Sequence, residues 1–317
     1  MAVIVVLRAL GLGDLLTAVP ALRALRRAYP REHIRLAAPA GLAPIARLTG
    51  AVDDILPTPS LGGGAAPAAP VRLAVNLHGR GPDSIDYLTQ MQPADLLTHR
   101  HPNFPQLPGL QWRDGLHEVD RWCRLMEFAG LPADRADLFL PAPDTESPWP
   151  RAVVIHPGAG SAARRWPVER FAAVARQLAA RNLPVVVTGS TAERPLAAAV
   201  AHRAELPNRA VLAGRLDLDG LAAVVHAARL VVCGDTGVGH LATAYGTPSV
   251  LLFGPTPPRV WGPPPDRKHR VLWVGDVGDP HAGAPDPGLL LLSTRLVLQA
   301  VLAQLDDFDG AERTVAH

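Results

Sequence analysis

Cysteine is scarce in this sequence, which contains only Cys123 and Cys233 among its 317 residues. Both cysteines lie in apolar segments. Two isolated thiols do not make a disulfide framework, and they do not have the spacing of a zinc site. We therefore expect a protein of a reducing compartment, the cytoplasm, without structural disulfides.

Lysine is scarcer still, since Lys268 is the only one and arginine supplies almost all of the positive charge. The formal net charge is only +2, so the composition gives no reason to expect a nucleic-acid partner. The sequence also lacks an apolar run of about 18 residues and a charged segment followed by a cleavage site. We expect no membrane-spanning helix, no signal peptide and at most peripheral contact with a membrane.

Metal-ligand patterns are missing as well. Asp217 and Asp219 have the spacing of a carboxylate pair, but they precede an apolar helix and favour a helix cap. No pair of histidines has the spacing of zinc ligands. We expect no metal and no other resident cofactor.

Strand patterns and helix patterns alternate through most of the chain, which predicts an α/β fold. The expected architecture is two Rossmann-like, doubly wound parallel-sheet domains facing a cleft, with ligands beyond the carboxyl ends of the strands. Apolar runs predict strands at residues 2–7, 33–38, 52–56, 71–77, 152–156, 184–188, near 211, 230–233 and 249–253. Helical periodicity begins at Asp14 and recurs at residues 42–48, 82–89, 117–129, 168–181, 192–204, 218–228 and 289–305.

A polar, proline-rich segment at residues 141–150 separates the two series of strands and helices. It predicts an N-terminal domain over residues 1–145 and a C-terminal domain over residues 151–305. A polar tail is expected at residues 306–317. Residues 57–70 are rich in proline, glycine and alanine, which predicts a surface loop.

The most informative stretch follows the strand pattern at residues 230–233. Asp235 stands where it can cap the next helix, and Thr236 and Gly237 keep the start of that helix small. The free amides and the positive dipole end of such a helix favour a phosphate. His240 lies one turn further on, on the face that reaches the same anion. The alternative is an ordinary capped helix after a strand.

A second anion site is indicated after the fifth strand pattern. Small residues at 157–160 turn the chain, and Ser161, Arg164 and Arg165 follow. Free amides, a hydroxyl and two guanidinium groups fit a diphosphate. The alternative is a solvated arginine pair beside a helix that begins near Pro167.

The first strand pattern is followed by Gly11, Gly13 and Asp14. These residues do not make a dinucleotide fingerprint, because Leu16 occupies the third glycine position and no acidic residue follows the second strand. Asp14 is then either the N-cap of a helix or a general base that takes a proton from a hydroxyl nucleophile.

Polar side chains also follow the fourth strand pattern, where Asn76 and His78 would face the same ligand region. The alternative for His78, considered by itself, is an ordinary loop histidine that binds no ligand. Residues 117–121 predict a helix start, and we expect Glu118 and Arg121 to lie on its solvated face.

Three segments together resemble glycosyltransferase family 9, whose best-known members are the ADP-heptose:lipopolysaccharide heptosyltransferases. They are residues 7–30 (LRALGLGDLLTAVPALRALRRAYP), 156–175 (HPGAGSAARRWPVERFAAVA) and 233–263 (CGDTGVGHLATAYGTPSVLLFGPTPPRVWGP). The resemblance covers nearly the whole chain, and the segments fall in the family's order. It implies the two-domain GT-B fold and an inverting, metal-independent transfer of a sugar, in the first place a heptose. The nucleotide-sugar donor, an ADP-sugar, would bind the C-terminal domain, and a glycan or small-molecule acceptor the N-terminal one.

The resemblance also implies roles for single residues. Asp14 takes the position of the catalytic base, and we expect the acceptor beside Gly13, Asn76 and His78. Glu193 matches a position expected near the donor ribose. The full set expected to contact the donor is Ser161, Arg164, Arg165, Glu193, Asp235, Thr236, Gly237 and His240.

Two positions depart from the heptosyltransferase pattern. Arg164 stands where those enzymes carry a lysine near the phosphates, which keeps the charge but changes its reach and hydrogen-bond geometry. Ala159 and Gly160 stand where those enzymes carry hydroxyl residues, so the backbone and Ser161 would have to serve instead.

Two other functions fit the same features. A sugar-nucleotide epimerase of the same fold needs only the C-terminal site and converts its donor without any acceptor. A non-catalytic protein that binds a nucleotide sugar shows binding without turnover, and its binding does not depend on Asp14.

Overall fold

The computed structural model describes residues 2–64 and 67–315, with side chains up to residue 308. The chain divides into two compact units, Met1–Pro141 and Ala142–His317. The loop expected at residues 57–70 and the tail expected at 306–317 each lie partly outside the described residues.

The N-terminal unit is built on a five-stranded parallel sheet with the strand order β3-β2-β1-β4-β5. Its strands are β1 (Val3–Leu7), β2 (His33–Ala38), β3 (Asp54–Pro57), β4 (Val71–Asn76) and β5 (Asp95–Leu97). Its helices are α1 (Leu12–Ala28), α2 (Ala43–Leu48), α3 (Asp83–Thr89) and α4 (Glu118–Phe128). Every residue of β1 is buried, as expected for a central parallel strand with helices over both faces.

The C-terminal unit contains a second five-stranded parallel sheet, with the order β10-β9-β8-β6-β7. Its strands are β6 (Val153–His156), β7 (Val185–Val187), β8 (Leu230–Gly234), β9 (Ser249–Phe253) and β10 (His269–Trp273). Its helices are α5 (Val168–Ala179), α6 (Arg194–Arg203), α7 (Leu218–His226), α8 (Gly237–Tyr245), α9 (Pro258–Trp261), α10 (Pro287–Leu291) and α11 (Thr294–Val315).

Each sheet has one point at which the strand order reverses. In the N-terminal unit, β1 and β4 are neighbours although two strands separate them in the chain. In the C-terminal unit, β6 and β8 are neighbours although β7 lies between them in the chain. Because the loops that leave two such strands diverge to opposite faces, a crevice opens beyond their carboxyl ends, and ligands of doubly wound sheets bind there.

The expected fold, two doubly wound parallel sheets with flanking helices, is confirmed. One predicted strand is wrong, because Val211 forms only an isolated bridge with Val187 and follows a short 3-10 turn at Asn208–Ala210. At the C-terminal end, α10 and α11 replace the single expected helix, and Ser293 caps α11 by accepting from the Leu296 amide at 3.2 Å. Within the described residues α11 continues to Val315, past the expected boundary at residue 305.

In the part of the chain that the structure describes, none of the helices combines the length and the apolar character that a membrane crossing requires.

Candidate active site

The loop between β1 and α1 is organised around Arg8, whose side chain is only 1% exposed. Its guanidinium donates to the backbone carbonyls of Asp14, at 2.7 Å, and Leu77. It also donates to the hydroxyl of Thr17 at 3.3 Å. The ring of Trp122 lies under the guanidinium, 4.7 Å from its central carbon. Arg8 therefore ties the ends of β1 and β4 together at the point where the strand order reverses.

Asp14 lies in the first turn of α1, and it is not the N-cap, which is Gly11. Its carboxylate accepts from the Gly11 amide at 3.1 Å and lies 3.5 Å from the Arg8 guanidinium. The side chain keeps 27% of its surface exposed. Burial raises the pKa of Asp14, and the Glu118 charge acts in the same direction, whereas Arg8 and the Gly11 amide lower it. The result is a ligand-accessible carboxylate with an increased affinity for a proton.

The start of α4 contradicts the expectation of a solvated face. Glu118 is 9% exposed and Arg121 only 5%. Glu118 accepts from Arg8 at 3.0 Å, from the Trp122 indole at 2.8 Å and from Arg121 at 3.3 Å. The helix begins with His117 as its N-cap, so Glu118 is the first helical residue, and it faces Arg8 in the loop before α1. The partner that draws it inward, Arg8, lies 110 positions away in the chain and gives no local signal.

The residues expected beside the acceptor have unequal positions. Asn76 is completely buried, and its amide donates to Ser84 at 3.0 Å and to Thr98 at 3.1 Å. Its carbonyl accepts from the His78 amide at 3.1 Å, so Asn76 shapes the loop and is not accessible to a ligand. His78 is partly exposed, and burial together with the Arg8 charge lowers its pKa. Gly13 lies in the first turn of α1, next to Asp14.

In the C-terminal unit, two loops come together beyond the ends of β6 and β8. After β6 the chain forms a short 3-10 turn at Ala162–Arg164, and α5 begins only at Val168 with Pro167 as its N-cap. The expected helix start near Pro167 is confirmed, and Pro167 keeps the helix from beginning earlier because it restricts the preceding residue to an extended conformation. The backbone of Arg164 passes over the end of β8 so closely that a Cβ on Gly234 would lie 2.9 Å from the Arg164 carbonyl oxygen.

This close approach places the Arg164 side chain against the loop after β8. Its guanidinium lies 3.8 Å from the Asp235 carboxylate and 3.5 Å from the Asp235 carbonyl oxygen. It also lies 3.4 Å from the hydroxyl of Ser161, which donates to the Pro280 carbonyl at 2.5 Å. One quarter of the Arg164 side chain stays exposed, so the guanidinium is held in place and remains available to an anion.

The side chain of the neighbouring Arg165 binds the backbone of its own loop. It donates twice to the carbonyl of Ala159, at 2.9 and 3.1 Å, and so fixes the loop between β6 and the 3-10 turn. Glu193 accepts from the amide and the hydroxyl of Ser190 at 2.8 and 2.9 Å. The Glu193 carboxylate lies directly against Gly158, where a Cβ would overlap it. Both residues thus contact the loop after β6, Arg165 at Ala159 and Glu193 at Gly158.

The start of α8 completes this group. Thr236 is the N-cap of α8, in place of the expected Asp235, which is 6% exposed and faces Arg164. The first amides of any helix lack intrahelical partners, and those of α8 begin at Gly237. The ring of His240, one turn further on, packs edge-on against Trp261 at 5.8 Å. A small pocket beside these residues is lined by Gly234, Asp235, Thr236, Gly239, His240, Thr243, Leu251, Phe253, Trp261 and Pro263.

The structure thus groups the sequence-predicted residues in two sets, one at each strand-order reversal. The roles assigned to them stay predictions. Sequence reasoning missed Arg8, Glu118 and Trp261. An arginine directly after a fully apolar strand was the available signal for Arg8, whereas Glu118 and Trp261 owe their positions to partners on other elements.

Solved structures show the same fold. The chain matches Escherichia coli ADP-heptose lipopolysaccharide heptosyltransferase II with a TM-score of 0.78 and 22% identity, over 97% of this chain and 99% of that one. It matches an E. coli heptosyltransferase solved with ADP with a TM-score of 0.69 and 21% identity, over 95% and 99%. The class that these likenesses define is the GT-B glycosyltransferase fold.

The family follows from the sequence comparisons. The model of glycosyltransferase family 9 (heptosyltransferase) matches residues 115–282. The chain therefore belongs to glycosyltransferase family 9. It is 37% identical to lipopolysaccharide heptosyltransferase 1 of Pseudomonas aeruginosa over 155 residues, which cover 47% of this chain and only 42% of that protein. It is 26% identical to lipopolysaccharide heptosyltransferase 2 of Salmonella typhimurium over 300 residues, or 82% of this chain and 84% of that protein.

Proposed function

We propose that this protein is an inverting, metal-independent glycosyltransferase that moves a sugar, in the first place a heptose, from an ADP-sugar to a hydroxyl of an acceptor. The observation that carries the proposal is the state of Asp14. Its carboxylate is accessible, lies at a strand-order reversal and has a raised pKa. A carboxylate of increased basicity is what a general base for a hydroxyl nucleophile requires.

In the proposed reaction the acceptor oxygen attacks the anomeric carbon of the donor from the face opposite the diphosphate. The acceptor proton passes to Asp14 as the new carbon–oxygen bond forms. The bond between the anomeric carbon and the diphosphate oxygen breaks, and ADP leaves with the electron pair. A single displacement of this kind inverts the configuration of the anomeric carbon.

Departure of ADP requires positive charge on the diphosphate. Arg164 supplies a guanidinium that its neighbours hold in place and that is partly exposed. The first amides of α8 and the positive end of its dipole add to this field. Groups fixed in this way stabilise the leaving charge without reorganisation, which is the role that a divalent cation has in metal-dependent transferases. His240, one turn along α8, is proposed to contact the same diphosphate or the sugar.

The choice of ADP and heptose comes from the relatives. The Pseudomonas and Salmonella relatives are named as heptosyltransferases, and one E. coli structure of the same fold was solved with ADP. For this chain both remain part of the proposal, with Glu193 as the proposed partner of the donor ribose. The acceptor is proposed to be a glycan or a small molecule with a free hydroxyl.

The test is a turnover assay with ADP-heptose and a panel of hydroxyl acceptors, in the presence of EDTA. We expect ADP release that depends on the acceptor, and a product of inverted anomeric configuration by NMR. The Asp14→Asn variant should lose about 10²- to 10⁴-fold in kcat, because the general base is removed. Its affinity for ADP should stay within about twofold, since the base contributes to the transition state rather than to ground-state binding.

The matched control is Asp95→Asn, which removes an exposed carboxylate on β5 of the same unit and should leave the turnover unchanged. Near-normal turnover by Asp14→Asn would overturn the base assignment. Donor isomerisation without any acceptor would identify an epimerase instead. ADP binding with no turnover of any ADP-sugar would identify a binding protein.

A further inference from the structure

Arg8 is shared between two carboxylates, and the sharing is unequal. Its terminal nitrogen lies 3.0 Å from Glu118 but 3.5 Å from Asp14. A separation of 3.5 Å is at the limit of hydrogen-bond distance, so the stronger charged contact goes to Glu118. Arg8 reaches Asp14 mainly through the backbone carbonyl, at 2.7 Å.

Glu118 is itself held firmly. The Trp122 indole donates to the same oxygen that accepts from Arg8, and Arg121 donates to the other oxygen. Arg121 is fixed in turn, because it donates to the Arg113 carbonyl at 2.8 Å and its guanidinium stacks 3.8 Å from the centre of the Trp112 ring. A network of this kind, buried and fully paired, keeps its members in one arrangement.

We propose that Glu118 is a positioning residue for Asp14: by taking the better contact of Arg8, it leaves the Asp14 carboxylate correctly placed yet free to accept a proton. The inference rests on the proposed role of Asp14 as a base. Without Glu118, the whole charge of Arg8 would fall to Asp14, and an ion-paired carboxylate is a poor base. Arg8 thus orients Asp14, and Glu118 limits the extent to which Arg8 neutralises the Asp14 charge.

The direction of the expected change follows from the charges around Asp14. Arg8 acts on it from the loop before α1, and Glu118 acts on it from α4. Arg121 is the partner of Glu118 on α4, and His78, in the loop after β4, is influenced by the Arg8 charge. Burial and the Glu118 charge both raise the pKa of Asp14. Removal of that negative charge should therefore lower the pKa of Asp14.

The test is an NMR titration of the full chain labelled with ¹³Cγ-aspartate, in which the Asp14 signal is identified by its loss in Asp14→Asn. We expect the midpoint of Asp14 in Glu118→Gln to fall by roughly half a pH unit or more below that of the wild type. Glutamine keeps the size of the side chain and its acceptor oxygen for Arg8. The matched control is Glu127→Gln on the exposed end of α4, where Arg135 is the partner, and it should leave the midpoint unchanged.

An Asp14 midpoint in Glu118→Gln that equals or exceeds the wild-type value would overturn the proposal. If Glu118→Gln does not fold, Arg8→Gln tests the same balance with the opposite sign, because loss of the positive charge should raise the midpoint. An Asp14 midpoint that is unchanged or lowered in Arg8→Gln would also contradict the proposal. Where turnover is measurable, the acid limb of the pH profile of kcat/KM should move with the NMR midpoint, whereas a purely structural role predicts a uniform loss at every pH.

The NMR readout needs no substrate. Absence of turnover with every ADP-sugar would therefore contradict the proposed function. The titration would still test the role of Glu118 independently.

Discussion

At the scale of single residues, burial decides which titratable groups keep a proton. His99 is 2% exposed and packs edge-on between Trp112, at 4.9 Å, and Trp122, at 5.7 Å. Burial, helped by the Arg121 charge, lowers the pKa of His99 to about 4. His99 is therefore a neutral ring at pH 7, packed between the two indoles.

This difference makes stability depend on pH in a defined direction. Between pH 6.5 and 4 the unfolded chain binds a proton at His99 and the folded chain does not. The free energy of unfolding must therefore decrease as the pH falls through this window. Replacement by phenylalanine keeps the ring contacts and removes the titration. Between pH 7 and pH 5, the free energy of unfolding should decrease by about 2 kcal/mol less in His99→Phe than in the wild type. Urea denaturation at the two pH values measures this difference.

The control for this prediction is His202→Phe, which replaces an exposed histidine on α6. It should show the acid sensitivity of the wild type. Equal losses in His99→Phe and the wild type would contradict the assignment of His99 as a buried neutral ring.

At the scale of elements, two backbone segments approach closely to form the proposed diphosphate site. The carbonyl of Arg164 lies over Gly234, where a Cβ would be only 2.9 Å away. Because the atom in conflict belongs to the backbone, the 3-10 turn at Ala162–Arg164 must shift to accept any side chain at this position. We expect Gly234→Ala to displace Arg164 and to reduce the affinity for ADP roughly tenfold, which corresponds to about 1.4 kcal/mol. Isothermal titration calorimetry measures this change.

Gly283→Ala provides the control, since a Cβ at Gly283 meets no atom within 4 Å in the same unit. Its affinity for ADP should equal that of the wild type, and both variants should keep the far-UV circular dichroism of the fold. An unchanged affinity in Gly234→Ala would show that the turn adapts or does not bind the nucleotide.

Elements with strong local signals could be predicted from the sequence. The run of apolar residues in Val3–Leu7 forms β1, and Gly246 ends α8 in the left-handed region with a φ of 61°. Asp217 caps α7 as expected, accepting from the Gly220 amide at 2.8 Å. In each case the physical cause lies within a few residues of the pattern.

Features that depend on distant partners could not be predicted in this way. The burial of Glu118 is set by Arg8, across 110 positions. Asn76 was expected beside the acceptor, but hydrogen bonds to Ser84 and Thr98 take it into the core. A polar residue after a strand gives the same local signal whether it binds a ligand or holds a loop. Only the packing of the neighbouring elements separates the two cases.

At the scale of the whole molecule, both units are doubly wound parallel sheets with one strand-order reversal, but their strand orders differ. The N-terminal sheet has the order 3-2-1-4-5 in its own numbering. The C-terminal sheet would become 3-2-1-4-5-6 if the isolated bridge at Val211 counted as an edge strand beyond β7. In each unit most of the candidate residues follow the two central strands at the reversal, whereas Glu193 follows β7 and contacts the loop after β6 at Gly158.

In the proposed mechanism the N-terminal unit supplies the general base, and the C-terminal unit binds the diphosphate of the donor. Variants at Asp14 and at Arg164 should therefore affect different quantities. Asp14→Asn should change turnover and leave nucleotide affinity in place. Arg164→Gln should weaken nucleotide binding roughly ten- to a hundredfold, because a hydrogen bond to a charged group contributes about 1.5–3 kcal/mol. Arg209→Gln, an exposed arginine of the same unit, is the control and should bind as the wild type does.

The proposed mechanism depends on the binding of an ADP-sugar to the C-terminal unit without a metal. It is tested most directly by calorimetric titration of the purified protein with ADP, UDP, GDP and dTDP in EDTA, alongside Arg164→Gln and Arg209→Gln. We expect selective binding of ADP that weakens in Arg164→Gln alone. A preference for UDP or dTDP would contradict the ADP-sugar donor. Binding of no nucleotide would contradict the site itself.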